Sequence, residues 1–164
     1  MEEFWDVYDE NRVFQNRTIR RGDPFAEGEY YVCCEVWIVN SQGEMLLTQR
    51  HPSKKAGGLW EFVGGGVLAG ETTAQAAVRE VKEEIGVEIT ENELSLLHIH
   101  RQRNYFMDVY LVKKDVDIAS VALDENETTD AKWISKEELS VMIEKQKVVR
   151  SVAQRFEVLR EKID

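Results

Sequence analysis

The segment formed by residues 65–87 constrains the fold of this chain more than any other part. Within it, residues 73–85 repeat apolar side chains every three or four positions, which predicts an α-helix with one buried face. Thr72 and Gln75 have the spacing of a capping box, and Gly86 favours the left-handed conformation that ends many helices. The apolar residues predicted to face the core are Ala74, Ala77, Val78, Val81 and Ile85.

Three glutamates occupy a neighbouring face of this predicted helix. Glu80, Glu83 and Glu84 stand at positions i, i+3 and i+4, so their side chains converge. Like charges at these spacings destabilise a helix, whereas a hard cation such as Mg²⁺ prefers carboxylate oxygens and removes the repulsion. Glu80 and Glu84 lie outside the predicted apolar stripe. We therefore predict a divalent metal site on this face.

The loop before the helix lacks side-chain bulk. Gly64, Gly65, Gly66 and Gly70 carry no Cβ atom, so backbone groups there can approach a charged ligand closely. A merely solvated acidic helix face does not explain this loop. A binding site for a charged ligand would explain both the glycines of the loop and the glutamates of the helix.

The residues with fixed offsets in this segment are Gly65, Glu71, Arg79, Glu80, Val81, Glu83, Glu84, Gly86 and Val87. At this spacing they resemble the Nudix box of the Nudix hydrolase superfamily, and every specified position is filled. The resemblance implies an α/β protein with the Nudix fold, which is an α/β/α sandwich around a mixed β-sheet. It also implies Mg²⁺ or Mn²⁺ as cofactor and hydrolysis of a diphosphate linkage in a nucleoside diphosphate-X or similar small substrate.

The resemblance also implies roles for individual residues. The carboxylates that ligate metal or activate water in the family correspond to Glu80, Glu83 and Glu84. The family residues that match Glu71 and Arg79 form an ion pair with each other and hold the loop against the helix. The residue before the box, here Gly64, supplies a backbone carbonyl as a metal ligand.

From these roles we assign a catalytic set. Glu80 and Glu84, one helical turn apart, are predicted to be the principal metal ligands. Glu83 is either a further ligand or the general base, which takes a proton from the attacking water. Glu71 and Arg79 complete the set as orienting residues.

Charge limits the partners of this protein. The 164-residue chain has 21 Lys and Arg against 31 Asp and Glu, a net charge of −10. This balance argues against binding of a nucleic acid polymer through a basic face and favours a small-molecule diphosphate substrate, held by metal and a few local cations.

Sequence signals predict one cytoplasmic domain over residues 1–164. The adjacent Cys33 and Cys34 point to opposite faces of a strand and cannot form a disulfide framework, which suggests a reducing compartment. The chain has no apolar run of membrane-spanning length and an acidic N-terminal stretch, so we expect neither a membrane span nor a secretory signal.

Alternation and turn residues predict the remaining elements. Residues 1–29 are expected to form an N-terminal hairpin extension. A capping box favours a helix over residues 135–143, and apolar residues at helical spacing favour another over residues 148–162. A homodimer through this hairpin or the last helix stays open. The strands predicted from β-branched and aromatic runs cover residues 30–39, 45–50, 60–63, 94–100 and 105–112.

Several residues outside the box have both a functional and a structural interpretation. Arg17, Arg20 and Arg21 form either solvated ion pairs, a phosphate clamp or a dimer contact. The loop residues that either contact substrate or are solvated are His51, Lys54 and Lys55. The aromatic residues that either stack on a base or belong to the core are Trp60, Tyr105 and Phe106.

Two groups offer additional metal ligands. His98 and His100 share one face of a predicted strand, which fits either a metal pair or a hydrogen-bonded position in a sheet. In the acidic loop over residues 115–129, Glu127 resembles an additional family carboxylate that binds metal or acts as a base. Glu125 and Asp130 compete for the same role.

Two other functions have to be weighed against hydrolysis. The segments over residues 5–11, 20–22, 36–40 and 46–50 resemble the Nudix branch related to isopentenyl diphosphate isomerase, and this resemblance covers residues 5–87. That enzyme needs a cysteine where residues 60–66 have none and a metal-binding histidine about where Tyr31 stands. A Nudix fold used only as a binding module is the third function, and such modules tend to have lost the box carboxylates that this chain retains.

Overall fold

The computed structural model describes residues 2–163, and the elements below belong to that part of the chain. The strands are β1 (Phe4–Tyr8), β2 (Phe14–Arg20), β3 (Tyr31–Val39), β4 (Met45–Arg50), β5 (Trp60–Glu61), β6 (Val63–Gly66), β7 (Ser95–Arg101), β8 (Tyr105–Lys113) and β9 (Thr128–Ile134). The α-helices are α1 (Thr73–Ile85), α2 (Lys136–Glu144) and α3 (Arg150–Leu159). The N-terminal hairpin, the four longer predicted strands and the three predicted helices are therefore present, with small shifts at their ends.

Strands β3 to β9 form one mixed sheet of seven strands. Strand β3 lies at its centre and pairs parallel with β8, while its pairings with β4 and β6 are antiparallel. Strand β7 extends the sheet beyond β8, and β9 pairs antiparallel with β4. The hairpin of β1 and β2 is a separate two-stranded sheet, as expected for an extension.

Helices cover both faces of this sheet. One apolar core joins α1 to the face of the sheet that carries Cys34, Val36 and Ile38. The other core joins α2 and α3 to the opposite face, which carries Trp37 and Val39. Because successive residues of β3 point to opposite faces, this one strand supplies both cores. The predicted α/β/α sandwich around a mixed sheet is confirmed.

The buried face of α1 differs from the predicted stripe. Ala76 is fully buried, whereas Ala74 and Val78 are only partly buried at the edge of the core. Glu84, which was predicted to lie outside the buried face, is itself buried. The helix is rotated slightly from the apolar pattern because its acidic side also packs against the sheet, at β6.

Two features of the sheet were not predicted. Strand β9 lies partly in the acidic segment, which was expected to be a loop, and its pairing with β4 forms it in spite of its polar sequence. The strand predicted over residues 60–63 is divided into β5 and β6, and β6 carries the glycines into the sheet. Gly64 fits beside β3 because an added Cβ would lie 2.2 Å from the Cys34 carbonyl oxygen.

Side chains from β1 and the turn after it fix the N-terminal hairpin to the domain. Arg12 donates two hydrogen bonds of 2.6 Å to the buried Asp108 carboxylate of β8. Trp5 lies against Gly66, where an added Cβ would be 2.6 Å from the indole nitrogen. The hairpin is therefore placed beside the glycine loop. Within the described residues, the helices are too short and too polar to cross a membrane.

Candidate functional site

The caps of helix α1 fix both of its ends. The Thr72 side chain accepts a hydrogen bond from the Gln75 N–H at 3.1 Å, and the Gln75 side chain accepts one from the Thr72 N–H at 2.9 Å. Gly86 has a left-handed φ of 68°, and its N–H donates to the Lys82 carbonyl oxygen. The glutamates in the last two turns are held on a helix whose start and end are both determined by its local sequence.

Glu84 is buried beneath the glycine loop. Only 8% of the residue is exposed, and its Oε2 atom has no hydrogen-bond partner within residues 2–163. The backbone N–H of Gly64 interacts with the same carboxylate. A buried carboxylate oxygen without a partner is rare, because losing water without a new bond is costly.

Glu80 and Glu83 differ in exposure. The Glu80 side chain is 14% exposed and lies on Gly65, where an added Cβ would be 2.3 Å from Glu80 Oε1. The Glu83 side chain is 58% exposed. Both line a cavity of about 300 Å³ together with Glu84, but Glu83 lies at its outer rim. The inward-facing pair is Glu80 and Glu84.

This cavity, called the acidic cavity below, is lined by both charge signs. Its floor is formed by residues 64–66. The acidic side chains that line it are Glu3, Glu80, Glu83, Glu84, Asp124 and Glu127, and the basic ones are Arg21, Arg50, Lys54 and Arg79. Carboxylates, which are the ligands that hard cations prefer, and basic side chains, which in other proteins bind phosphate groups, therefore lie in one place.

Burial and mutual repulsion raise the pKa values of the inner carboxylates. Burial raises the pKa of Glu84 well above its ordinary value, and the charges of Glu61, Glu80 and Glu127 raise it further. The pKa of Glu61 is raised to about 7, chiefly by burial, against the opposing effect of Arg50. Burial also raises the pKa of Glu80, partly offset by Arg79. These groups resist ionisation unless a cation joins them.

The donor set fits a divalent metal ion. An unpartnered buried carboxylate oxygen, surrounded by other carboxylates that repel it, is the environment that a hard cation stabilises. Among residues 2–163, no three acidic, histidine or cysteine side chains already surround a common point. Two of the carboxylates that line the cavity are instead paired with basic side chains, Glu80 with Arg79 and Glu127 with Lys54.

We expect the metal-free protein to lose stability as the pH rises. A carboxyl group whose pKa is raised by folding binds its proton more tightly in the folded state, so stability falls between the unfolded value of about 4.3 and the folded value. For Glu61 the range ends at about 7, and for Glu84 it extends higher. Thermal unfolding in EDTA should show a midpoint that falls from about pH 5 to about pH 8. Mg²⁺ should raise the midpoint more at the higher pH, and a rising midpoint in EDTA would contradict this expectation.

Arg79 connects the loop to the helix. Its Nε and Nη2 donate to the two Glu71 oxygens at 2.8 and 3.0 Å, and Nη2 also donates to the Gly66 carbonyl oxygen at 3.0 Å. Its Nη1 donates to Glu80 at 2.7 Å and to Glu83 at 3.1 Å. One guanidinium therefore orients the glycine loop and three of the four box glutamates at once.

The basic cluster of the N-terminal hairpin divides into two kinds of residue. Arg17 pairs with Glu29, and Arg20 pairs with Glu2 and Asp23, all on the exposed surface. Arg21 also forms an ion pair, with Glu3 at 2.7 Å, so the ion-pair interpretation fits all three arginines. Arg21 differs from the other two because it lines the acidic cavity.

The loop that follows β4 places one lysine at the site. Lys54 lines the acidic cavity and forms an ion pair with Glu127. The His51 ring bonds the Ser53 hydroxyl at 2.7 Å, while its backbone N–H donates to the Glu127 carbonyl oxygen at 2.8 Å. Of the three competing acidic residues, Glu127 lines the cavity, whereas Glu125 and Asp130 are exposed away from it.

The histidine pair and two of the aromatic residues have structural surroundings. His98 and His100 lie on β7 with ring centroids 6.1 Å apart, and His100 bonds the Gln102 side chain. Trp60 and Phe106 are buried in the two cores. Tyr105 is half-buried and lines a second cavity, described below.

Sequence reasoning did not single out two residues of this region. Arg50 Nη1 donates to Glu61 Oε1 at 2.5 Å, and Arg50 lines the acidic cavity. Glu61 is the first of the carboxylates that raise the pKa of Glu84. The one available signal was a charged residue, Glu61, between the apolar Trp60 and Phe62 of a strand that leads into the glycines.

A mixed sheet between helical layers, with a glycine loop and a capped acidic helix at one edge, defines the class of Nudix folds. A family model for the NUDIX domain matches residues 32–156, so the chain belongs to this family. It is 35% identical over 144 residues to an uncharacterised Nudix hydrolase of Listeria monocytogenes, covering 87% of this chain and 85% of the relative.

Two further comparisons extend this similarity. The chain is 30% identical over 156 residues to an RNA pyrophosphohydrolase of Novosphingobium aromaticivorans, covering 82% of this chain and 96% of the relative. A solved structure from Deinococcus radiodurans matches with a TM-score of 0.78 at 27% identity, covering 97% of this chain and 98% of that one. Nudix hydrolases generally use divalent metal ions, which agrees with the carboxylates found here.

Proposed function

We propose that this protein hydrolyses a phosphoanhydride bond in a small-molecule diphosphate and depends on Mg²⁺ or Mn²⁺. The observation that carries the proposal is the unpartnered, buried Glu84 oxygen, which lies with Glu80 in a cavity that is also lined by Arg21, Arg50 and Lys54. Carboxylates without a metal would not be concentrated in a buried place, because each raises the pKa of its neighbour.

In this proposal Glu80 and Glu84 hold the metal, with the Gly64 carbonyl as a backbone ligand. A bound divalent ion neutralises charge on nonbridging phosphate oxygens and makes nearby water more acidic. Arg21, Arg50 and Lys54 line the same cavity and bind the phosphate groups of the substrate.

Proton transfer requires a carboxylate that is free to ionise. Glu83 at the rim is largely exposed, and Glu127 pairs with Lys54. Either of them accepts the proton of the attacking water, whereas Glu71 and Arg79 keep the loop and the box glutamates in register. When substrate draws Lys54 towards its phosphates, Glu127 is released for this role.

The net charge of −10 favours a small substrate over an RNA end. The many phosphates of a polymer are repelled by a protein with a large net negative charge, whereas a compact diphosphate needs only the local cations. The similarity to an RNA pyrophosphohydrolase makes a 5′-triphosphate RNA a necessary part of the test.

The test is a panel of diphosphates incubated with Mg²⁺, Mn²⁺ or EDTA. The panel contains nucleoside diphosphates and triphosphates, nucleoside diphosphate sugars, isopentenyl diphosphate and a 5′-triphosphate RNA. We expect metal-dependent release of phosphate or of a nucleoside monophosphate, with ¹⁸O from labelled water in one product. Formation of the allylic isomer from isopentenyl diphosphate would instead support the isomerase alternative.

A matched control distinguishes the loss of a glutamate in the site from the loss of any glutamate on the surface. Glu88→Gln removes an exposed glutamate that pairs with Lys82 on the solvent face, so it should leave turnover unchanged. No turnover of any substrate with either metal, combined with metal uptake in calorimetry, would support a binding module instead. Undiminished metal-dependent turnover by a Glu80→Gln variant would contradict the ligand assignment.

We expect an Arg79→Lys variant to lose about 10- to 100-fold in kcat/KM, the range typical of residues that orient metal ligands. Lysine keeps the charge but has no planar fork, so it cannot bond Glu71, Glu80 and the loop carbonyl together. Steady-state kinetics against metal concentration tests this expectation. Lys82→Arg, on the exposed face of the same helix, is the control, and equal losses in both variants would contradict the role of Arg79.

A further inference from the structure

A second cavity of about 400 Å³ adjoins the acidic cavity. The two share Arg21, Arg50 and the glycine loop of residues 64–66 as a common wall. A molecule whose diphosphate lies in the acidic cavity can therefore extend over the glycines into the second one. Its volume lies in the range of small-molecule sites, about 300–1,000 Å³.

Aromatic side chains form one wall of this second cavity. Trp5 and Tyr31 stack with ring centroids 4.5 Å apart and an interplanar angle of 7°, and Tyr31 contacts Tyr105 at 5.4 Å. All three residues line the cavity. Such a wall offers planar apolar surface to a flat ring.

A buried ion pair forms the opposite, polar part of the lining. Arg155 of α3 donates from Nε to Glu35 Oε1 at 3.0 Å and from Nη2 to Glu35 Oε2. Glu35 Oε1 also accepts from Trp37 Nε1 at 2.8 Å. Both Glu35 oxygens are therefore engaged, and the pair fixes the orientation of the guanidinium.

The third nitrogen of this guanidinium remains unused. Arg155 is 3% exposed and lines the cavity, and its side chain also interacts with the Tyr105 hydroxyl, yet its Nη1 atom has no hydrogen-bond partner in the described part of the chain. Guanidinium groups only donate hydrogen bonds, so Nη1 calls for an acceptor. An unsatisfied donor on a buried charged group is costly, which makes a ligand that satisfies it strongly favoured.

We propose that the second cavity binds the base of a nucleoside diphosphate and that Arg155 Nη1 selects bases with an exocyclic carbonyl oxygen. Cytosine, uracil and guanine carry such an oxygen, whereas adenine has none. The proposal rests on the proposed function, because the acidic cavity must hold the diphosphate. Arg155 is a specificity-determining residue here and takes no part in the chemistry.

The first test compares CDP with ADP. We expect wild-type protein to prefer CDP in kcat/KM, and Arg155→Lys to lower kcat/KM for CDP by about 10- to 100-fold, as for one hydrogen bond to a charged group. The kcat/KM for ADP should be nearly the same in the wild type and in Arg155→Lys, because adenine makes no such bond. Arg150→Lys, on the exposed start of the same helix, should change neither value.

A binding measurement in EDTA separates this inference from the hydrolytic function. CMP and AMP are titrated into the metal-free protein while heat release is followed together with tryptophan fluorescence, to which Trp5 on the cavity wall contributes alongside the other three tryptophans. CMP should bind more tightly than AMP, and Arg155→Lys should remove the difference. Hydrolysis of CDP and ADP at equal rates, with equal binding of CMP and AMP, would overturn the inference and leave the proposed function intact.

A double variant keeps the test decisive if lysine at position 155 unfolds the protein. Glu35→Gln with Arg155→Met removes both buried charges together, which is often tolerated, and the glutamine oxygen still accepts from Trp37. This protein should fold, bind CMP and AMP equally, and hydrolyse CDP no faster than ADP. A retained preference for CMP would overturn the assignment.

Discussion

A Glu84→Gln variant is expected to lose its hydrolytic turnover while its metal-free form becomes more stable. The wild-type carboxylate is 8% exposed, has one oxygen without a partner among residues 2–163, and is repelled by Glu61, Glu80 and Glu127. Glutamine has nearly the same shape and no charge. The oxygen of its amide can still accept a hydrogen bond from the Gly64 N–H, and the NH2 of its amide can donate to the neighbouring carboxylates.

The loss of turnover should exceed about 100-fold, because even residues that only orient metal ligands contribute about 10- to 100-fold. The gain in stability should be largest at high pH, where wild-type Glu84 is forced to ionise. For a chain of this length, each kcal/mol of stabilisation raises the unfolding midpoint by about 2–4 °C.

Thermal unfolding in EDTA at about pH 8, with kinetics in Mg²⁺, checks both halves of this prediction. Glu88→Gln, an exposed substitution of the same type, should change neither quantity. A Glu84→Gln protein that unfolds earlier than the wild type in EDTA would show that the carboxylate is stabilised by contacts other than a metal. Retained turnover would remove Glu84 from the site.

Alanine at Gly64 and alanine at Gly65 should impair different properties of the protein, although the two positions are adjacent. At Gly64 the new Cβ would lie 2.2 Å from the Cys34 carbonyl oxygen and 2.9 Å from the Glu35 Cα, both in the backbone of the central strand. Backbone atoms of a buried strand cannot move away separately. We expect this variant to be destabilised by about 3 kcal/mol or more, at the upper end of overpacked cores.

At Gly65 the new Cβ would instead lie 2.3 Å from Glu80 Oε1, the end of a flexible side chain. Glu80 can rotate away with little loss of stability, but it then leaves the position proposed for a metal ligand. Denaturant unfolding and calorimetric titration with Mn²⁺ measure the two effects. Gly64→Ala should mainly lower stability, and Gly65→Ala should mainly lower metal affinity. The reverse order would contradict the arrangement of the loop.

The sequence alone predicted the parts of this protein that depend on neighbours along the chain. The caps at Thr72 and Gly86 bound α1 as expected, because a capping box and a left-handed glycine act within a few residues. The pairing of Glu71 with Arg79, eight residues apart, lies within the same loop and helix. The spacing of the Nudix box was sufficient to identify the family before any contact was known.

Only the tertiary structure decided which of these residues are buried and what lies opposite them. The exposure of Glu83 and the burial of Glu84 follow from the packing of α1 against β6, which the helical period cannot show. Arg155 meets Glu35 across 120 residues of sequence, and no local pattern relates them. Local backbone preferences fix helices, turns and motif spacing, whereas burial and long-range ion pairs depend on how the sheet brings distant segments together.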